Sequence, residues 1–404
     1  MMISYKFFFG IIISIVLFGC TEEQKNQITN SNEISNSERW QEVWSDEFDA
    51  TELDLSSWNK LRWRPGWVNN ELQAYTDRDT NIFIEDGHLI LQALIEPGYF
   101  DTDYMGSEYN ADYTSGRINT DNKISRTYGR FEIKAKLPKG NGSWPAIWML
   151  GESISDIGWP ACGEIDIMEH VGFDNGMVHG SIHTDAFNHM NNTQKSGSKF
   201  VDTATDSFHV YSLEWTPNYL RYLIDDNAYF FVYNDSDGDE AKWPFDQQHY
   251  LILNLAVGGD WGGAQGVDPN AFPMKMEIDY VKIYKKQEGA SDLQVTFQVD
   301  MKNENISGTG VWLSGGNISS GQPGGLQMHP QENSDIWQIT LTLPPKSNYT
   351  YKFRNGYQPN SWSGGWETPG SECTTGEYND RYLSVGFNDT TLTAVCFSEC
   401  TSCD

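Results

Sequence analysis

From Trp40 to Tyr284 the apolar residues recur every second position in short runs, and helical spacing is almost absent. Gly129-Arg130-Phe131-Glu132-Ile133-Lys134-Ala135-Lys136-Leu137 and Val210-Tyr211-Ser212-Leu213-Glu214-Trp215 are two such runs. Turn-forming clusters separate the runs: Pro138-Lys139-Gly140-Asn141-Gly142, Asp225-Asp226-Asn227 and Ser236-Asp237-Gly238. Period-two alternation puts one side of each strand in a core and the other in water, and many short strands at this spacing predict an all-β protein built as a two-sheet sandwich. After a short linker, Lys285 to Ser291, the alternation restarts in Leu293-Gln294-Val295-Thr296-Phe297-Gln298-Val299 and again from Trp337 and Tyr349, so residues 292–404 are expected to form a second, smaller β-sandwich.

One stretch departs from this regularity. Gly163-Glu164-Ile165-Asp166-Ile167-Met168-Glu169-His170 places three carboxylates within six residues. On a helix they would scatter around the axis. On a strand, Glu164 and Asp166 share a face while Ile165 and Ile167 turn to the core, and Glu169 is out of phase by one. A β-bulge at Ile167-Met168 would absorb the extra residue and return Glu169 to the face of Glu164. Carboxylates that close cannot be equally acidic, so a proton donor and an ionised partner become available near neutral pH. An acidic surface strand or half of a cation site remains open on this stretch alone.

The stretch resembles the active-site strand of glycoside hydrolase family 16, in the bulged Glu-x-Asp-x-x-Glu form of laminarinases. Further motifs occur in that family's order: Trp44-Ser45-Asp46-Glu47-Phe48, Asn69-Asn70-Glu71-Leu72-Gln73, Tyr113-Thr114-Ser115-Gly116-Arg117, Trp144-Pro145-Ala146-Ile147-Trp148, His179-Gly180-Ser181-Ile182-His183 and Met276-Glu277-Ile278-Asp279-Tyr280. The resemblance implies a β-jelly roll over residues 39–286 with a substrate cleft across its concave sheet. It implies Glu164 as nucleophile, Glu169 as general acid/base and Asp166 as a hydrogen-bond partner of Glu164, with no cofactor needed for catalysis. Trp144 and Trp148 would floor the donor side of the cleft, His183 would lie near the leaving sugar, and Asn70, Arg117 and Trp261 match other cleft positions. A structural calcium ion is implied at Glu47, the Gly87 carbonyl and Asp279. The expected reaction is endo-hydrolysis, with retention, of β-1,3-glucosidic bonds in laminarin-like glucans, with mixed-linkage β-1,3-1,4-glucan as a further substrate. The same fold and mechanism on an agarose- or carrageenan-type galactan is the runner-up, followed by a non-catalytic glucan-binding protein. The Tyr349-Thr350-Tyr351-Lys352-Phe353-Arg354-Asn355-Gly356 run of the second sandwich resembles starch-binding-type carbohydrate modules, with Trp312, Trp362 and Trp366 as stacking candidates.

Charge narrows the partners. The chain carries 27 basic and 56 acidic residues, a net charge of -29, which makes nucleic acid a poor ligand and weakly disfavours sulfated polysaccharides as substrates. Aromatic residues are 14% of the chain, suited both to stacking on sugars and to an all-β core. Met1 to Lys6, the apolar run Phe7 to Gly19 and then Cys20 read as a lipoprotein signal peptide of residues 1–19, with Leu17-Phe18-Gly19-Cys20 as a lipobox and Cys20 as the lipidated residue. Residues 20–38, rich in Ser, Asn, Gln and Glu, read as a disordered tether. The expectation is an exported bacterial lipoprotein of the outer membrane, facing the cell surface, held by its lipid and monomeric. In an exported chain, Cys373, Cys396, Cys400 and Cys403 suggest two disulfides, with three possible connectivities; zinc is the alternative. Cys162 is expected to be a buried free thiol.

Overall fold

The computed structural model describes residues 39–319, 324–358 and 361–403. The expected signal peptide, Cys20 and the tether lie outside these residues. Two large, mainly antiparallel sheets form the first unit. The ten-stranded sheet is built around the strands Gly129–Lys136 and Met274–Lys286, which pair with each other. The eight-stranded sheet runs, in spatial order, Lys195–Phe200, Met177–His183, Glu164–His170, Ser143–Gly151, His249–Val257, Arg117–Asn119 and Asn59–Lys60, with Ser125–Arg126 also on His249–Val257. This is the expected jelly-roll sandwich.

The alternating runs do what their period requires. Phe131, Ile133 and Ala135 from one sheet meet Ile147, Met149, Ile165 and Ile182 from the other in a single core, all essentially inaccessible to water. Each isoleucine, methionine or phenylalanine among them contributes roughly 1.5–3 kcal/mol on burial. The central strand His249–Val257 is buried at every position, since the core covers one face and the cleft walls cover the other. Its near-continuous apolar sequence follows from that double coverage.

Residues from Leu293 onward form two five-stranded sheets, one centred on Leu293–Asp300 and Ile336–Leu343, the other on Val311–Ser314, Asn348–Asn355 and Asp380–Ser384. Val295, Phe297, Leu313, Leu341 and Phe353 fill the space between them. Two disulfides close this unit's C-terminus, Cys373–Cys400 and Cys396–Cys403, while Cys162 is a buried free cysteine. The second sandwich rests on the Tyr219–Ile224 and Asn227–Tyr233 strands: the Phe231 and Tyr349 rings lie 5.3 Å apart, and the Thr342 amide donates to the Tyr233 hydroxyl at 3.3 Å.

Candidate active site

The Glu164–His170 strand opens on Gly163, whose backbone has φ +79 and whose missing Cβ would press on Pro244 and His249. The pairing register slips between Asp166 and Glu169 on one neighbour, and between the partners of Ile147 and Trp148 on the other. The bulge therefore falls at Ile167-Met168. Ile165, Ile167 and Met168 are all buried in the core, and Glu164, Asp166 and Glu169 all line one cavity of about 460 Å³ on the opposite face.

Each carboxylate has its own partners. The Trp159 indole N–H donates to Glu164 Oε2 at 3.1 Å, and the Trp144 N–H donates to Glu169 Oε1 at 3.1 Å. Ser181 Oγ donates to Asp166 Oδ2 at 2.6 Å. His183 Nε2 lies 3.4 Å from Asp166 Oδ2 and 3.7 Å from Glu164 Oε1. The direct bond from Asp166 to Glu164 expected from sequence is replaced by this arrangement: Ser181 fixes Asp166, and the imidazole of His183 bridges the two carboxylates. Burial, and then the negative charge of Asp166, push the pKa of both Glu164 and Glu169 upward. Burial opposes protonation of His183, but its bond to Asp166 and the three surrounding carboxylates outweigh it and raise its pKa to about 9. A cationic His183 3.7 Å from Glu164 Oε1 favours the ionised form of that carboxylate.

The neighbouring strands complete the cleft. Trp144 and Trp148 line the cavity, and the Trp148 N–H donates to Asn254 Oδ1 at 2.7 Å. Asn254 donates to the Tyr75 hydroxyl at 3.1 Å, and Tyr75 to Glu71 Oε2 at 3.1 Å. The Arg117 guanidinium lies 4.0 Å from the Trp63 ring centre and 4.9 Å from that of Trp148, a stack in which planar cation and rings hold one another in place. Trp261 and His179 line a second cavity beside Glu169, their rings 5.0 Å apart. Asn69 lines the cavity, and the exposed Asn70 donates at 2.8 Å to Oδ1 of Asp260, which lines the second cavity. Both asparagines have positive φ.

Sequence reasoning passed over Trp159, Ser181, Glu71, Trp63, Asn254 and His189. Ser181 was within reach, since positions 179, 181 and 183 share a strand face. Glu71 sits inside a motif already noted. Trp159 and His189, whose rings lie 5.1 Å apart, come from loops with no period to read.

Among the described residues, one group of acidic and histidine side chains could converge on an ion: Glu164, Asp166 and His183, with ligand atoms within 4.8 Å of one another. A protonated imidazole is no ligand, and the group is read as acid–base machinery. At the far sheet, Asp46 faces Val281 and Leu89 faces Ile278, which places Glu47, Gly87 and Asp279 where Trp40–Asp46 and His88–Thr102 meet along Met274–Lys286. The oxygen donor set suits a hard cation. Here Glu47 pairs with Lys282 at 2.7 Å and Asp279 with Lys134 at 2.7 Å.

A jelly roll whose cleft presents two glutamates from one bulged strand, floored by indoles, defines a carbohydrate-cleaving enzyme that needs no cofactor. Residues 68–282 match glycosyl hydrolases family 16, and the chain belongs to that family. It is 47% identical over 278 residues to a β-glucanase of Rhodothermus marinus, covering 67% of this chain and 92% of that protein. The solved laminarinase of Rhodothermus marinus aligns with a TM-score of 0.57 at 47% identity, covering 62% of this chain and 98% of the other. A non-specific endo-β-1,3(4)-glucanase structure aligns with a TM-score of 0.58 at 43% identity, covering 62% and 92%.

Proposed function

We propose that this chain is a retaining endo-hydrolase of β-1,3-glucosidic bonds in laminarin-like glucans, cleaving mixed-linkage β-1,3-1,4-glucan as well. The observation that carries the reading is the pair of glutamates opening from one strand face into one cavity, each held by a separate indole N–H. Ionised Glu164 attacks the anomeric carbon. As the C–O bond to the leaving sugar breaks, Glu169 gives its proton to the departing oxygen. The ester that forms removes the charge on Glu164, one of the causes that raise the pKa of Glu169. Glu169 then becomes more acidic and is ready to take a proton from water. That water bonds the anomeric carbon and releases Glu164. Asp166, held by Ser181, keeps His183 charged throughout. The names and identities of the Rhodothermus and 1,3(4)-glucanase relatives support the substrate class.

Three accessory readings accompany this one. A calcium ion at Glu47, the Gly87 carbonyl and Asp279 would brace the far sheet, with Lys282 and Lys134 giving up their present partners. The apolar run before Cys20 supports export and lipidation of that cysteine. On the second sandwich Trp362 is 55% exposed and its ring lies 5.9 Å from that of Trp366, tilted by only 16°, which supports a carbohydrate-binding role testable by pull-down with insoluble glucan.

The deciding experiment is product analysis on laminarin, lichenan and agarose, with Glu164→Gln as control. A ladder of β-1,3-oligosaccharides from laminarin, absent in the control, is expected. Products from agarose alone would replace the substrate and keep the mechanism. Binding without products would replace the enzyme with a glucan-binding protein.

A further inference from the structure

The long hairpin formed by His88–Thr102 and Glu108–Ser115 has no role in the chemistry above, yet its tip reaches the rim of the cleft. The Tyr104 ring at that tip lies 5.5 Å from the ring of Trp67, tilted by 60°, and Trp67 lines the cavity that holds the catalytic glutamates. Tyr104 is 62% exposed and Met105 66% exposed. Large apolar side chains held at a turn and left open to water mark a binding surface when the turn itself is fixed.

This turn is fixed. Asp103 is buried, and its Oδ1 accepts from the amides of Met105 and Ser107, each at 2.9 Å. Arg62 Nη2 donates to Asp101 Oδ1 and to the Thr102 carbonyl, both at 2.7 Å. Arg64, whose guanidinium lies 5.3 Å from the Trp67 ring centre, also reaches Asp103 at 3.6 Å. Two arginines on the segment that carries Trp67 therefore lock the hairpin tip to that segment, and Tyr104 and Trp67 form one preorganised corner.

The direction of the cleft says what this corner would meet. The second cavity contains Glu169, His179 and Trp261 but not Glu164. The group that protonates the leaving oxygen thus faces the leaving sugars on that side. The donor chain must run the other way, over Trp148 and Trp63 towards Trp67. We propose that Tyr104 and Trp67 form a distal stacking platform for the non-reducing end of the glucan, lengthening the donor side of the cleft so that the enzyme favours longer chains. The inference rests on the functional reading above and assigns the hairpin as its length-sensing element.

The test compares wild type, Tyr104→Ala and Tyr104→Phe on a series of β-1,3-gluco-oligosaccharides. It reads kcat/KM against chain length, together with the position of the cut in a reducing-end-labelled hexasaccharide. For Tyr104→Ala the ratio of long-chain to short-chain kcat/KM is expected to fall roughly three- to tenfold, the worth of one aromatic contact. The preferred cut should move towards the non-reducing end, and Tyr104→Phe should restore both. The cut position does not depend on the folded fraction, so misfolding cannot imitate the result. An equal loss at all lengths with an unmoved cut overturns the platform alone. A wild-type protein that cleaves none of the series overturns the β-1,3-glucan reading and the platform with it.

Discussion

Glu169 carries the clearest consequences at the scale of single residues. Burial and Asp166 hold its pKa well above the usual carboxylate value of 4.5, at about 8. The folded protein therefore binds more protons than the unfolded chain across that interval, and stability falls as pH rises from about 4.5 towards about 8. Glu169→Gln removes the titration. It should melt above wild type at pH values beyond this interval and match it below, as thermal denaturation across pH will show. Its kcat should meanwhile drop by roughly 10²–10⁴, the share of a general acid/base. His183 acts in the same sense, at higher pH. Its pKa is raised to about 9, so the stability it adds is full below its ordinary 6.5 and is lost as pH rises through about 9. Its charge lowers the pKa of Glu164, and His183→Gln should move the acidic limb of the kcat/KM profile to higher pH by about one unit. A profile lowered in height without displacement would show that His183 only shapes the cleft.

At the scale of elements, the carboxylate strand works because of what stands at its two ends and at its bulge. Gly163 has φ +79, and an added Cβ would come within 2.9 Å of Pro244 Cγ and 3.1 Å of His249 Nε2. Gly163→Ala should cost roughly 1–3 kcal/mol of stability from backbone strain and crowding together. It should also lower kcat at temperatures where the variant is fully folded, because Glu164 is the next residue; urea denaturation beside initial rates separates the two effects. This strand was readable in advance because its pattern is local: six residues fix which side chains face the core, and only a bulge reconciles three acidic residues with one face. The register partners of Glu164 and Glu169, His183 and His179, follow from sheet order, which alternation alone does not specify. Trp159 was hidden for a different reason. It reaches Glu164 from a loop whose path is set by tertiary packing, and nothing in its neighbours' periodicity points to the cleft.

For the molecule as a whole, the question is whether the two sandwiches stand or fall together. Tyr219 and Phe231 belong to strands of the first sandwich, yet both are buried within the core cluster of the second. Beside them Arg39, just ahead of the first strand Trp40–Asp46, donates to the Tyr219 hydroxyl at 2.9 Å and pairs with Asp292, just ahead of the first strand of the second sandwich. Lys286 joins Asp292 from the other side at 2.7 Å. The Arg39 and Asp292 side chains are only 7% and 5% exposed. Burial alone would raise the pKa of Asp292, but the two cations hold it below the usual value. Removing one member of a buried pair leaves the other charge in a poor medium, so Asp292→Ala should cost roughly 3 kcal/mol or more. Where that cost appears is the informative part. If the shared aromatic core couples the units, calorimetry of Asp292→Ala will show one transition displaced to lower temperature, and thermal inactivation of glucan hydrolysis will move with it. If the units melt separately, the second sandwich will unfold first, and hydrolysis of soluble oligosaccharides, carried by a cleft on the opposite sheet, will survive to the wild-type temperature. The burial of Tyr219 and Phe231 favours the coupled outcome, since unfolding either sandwich alone would expose both rings.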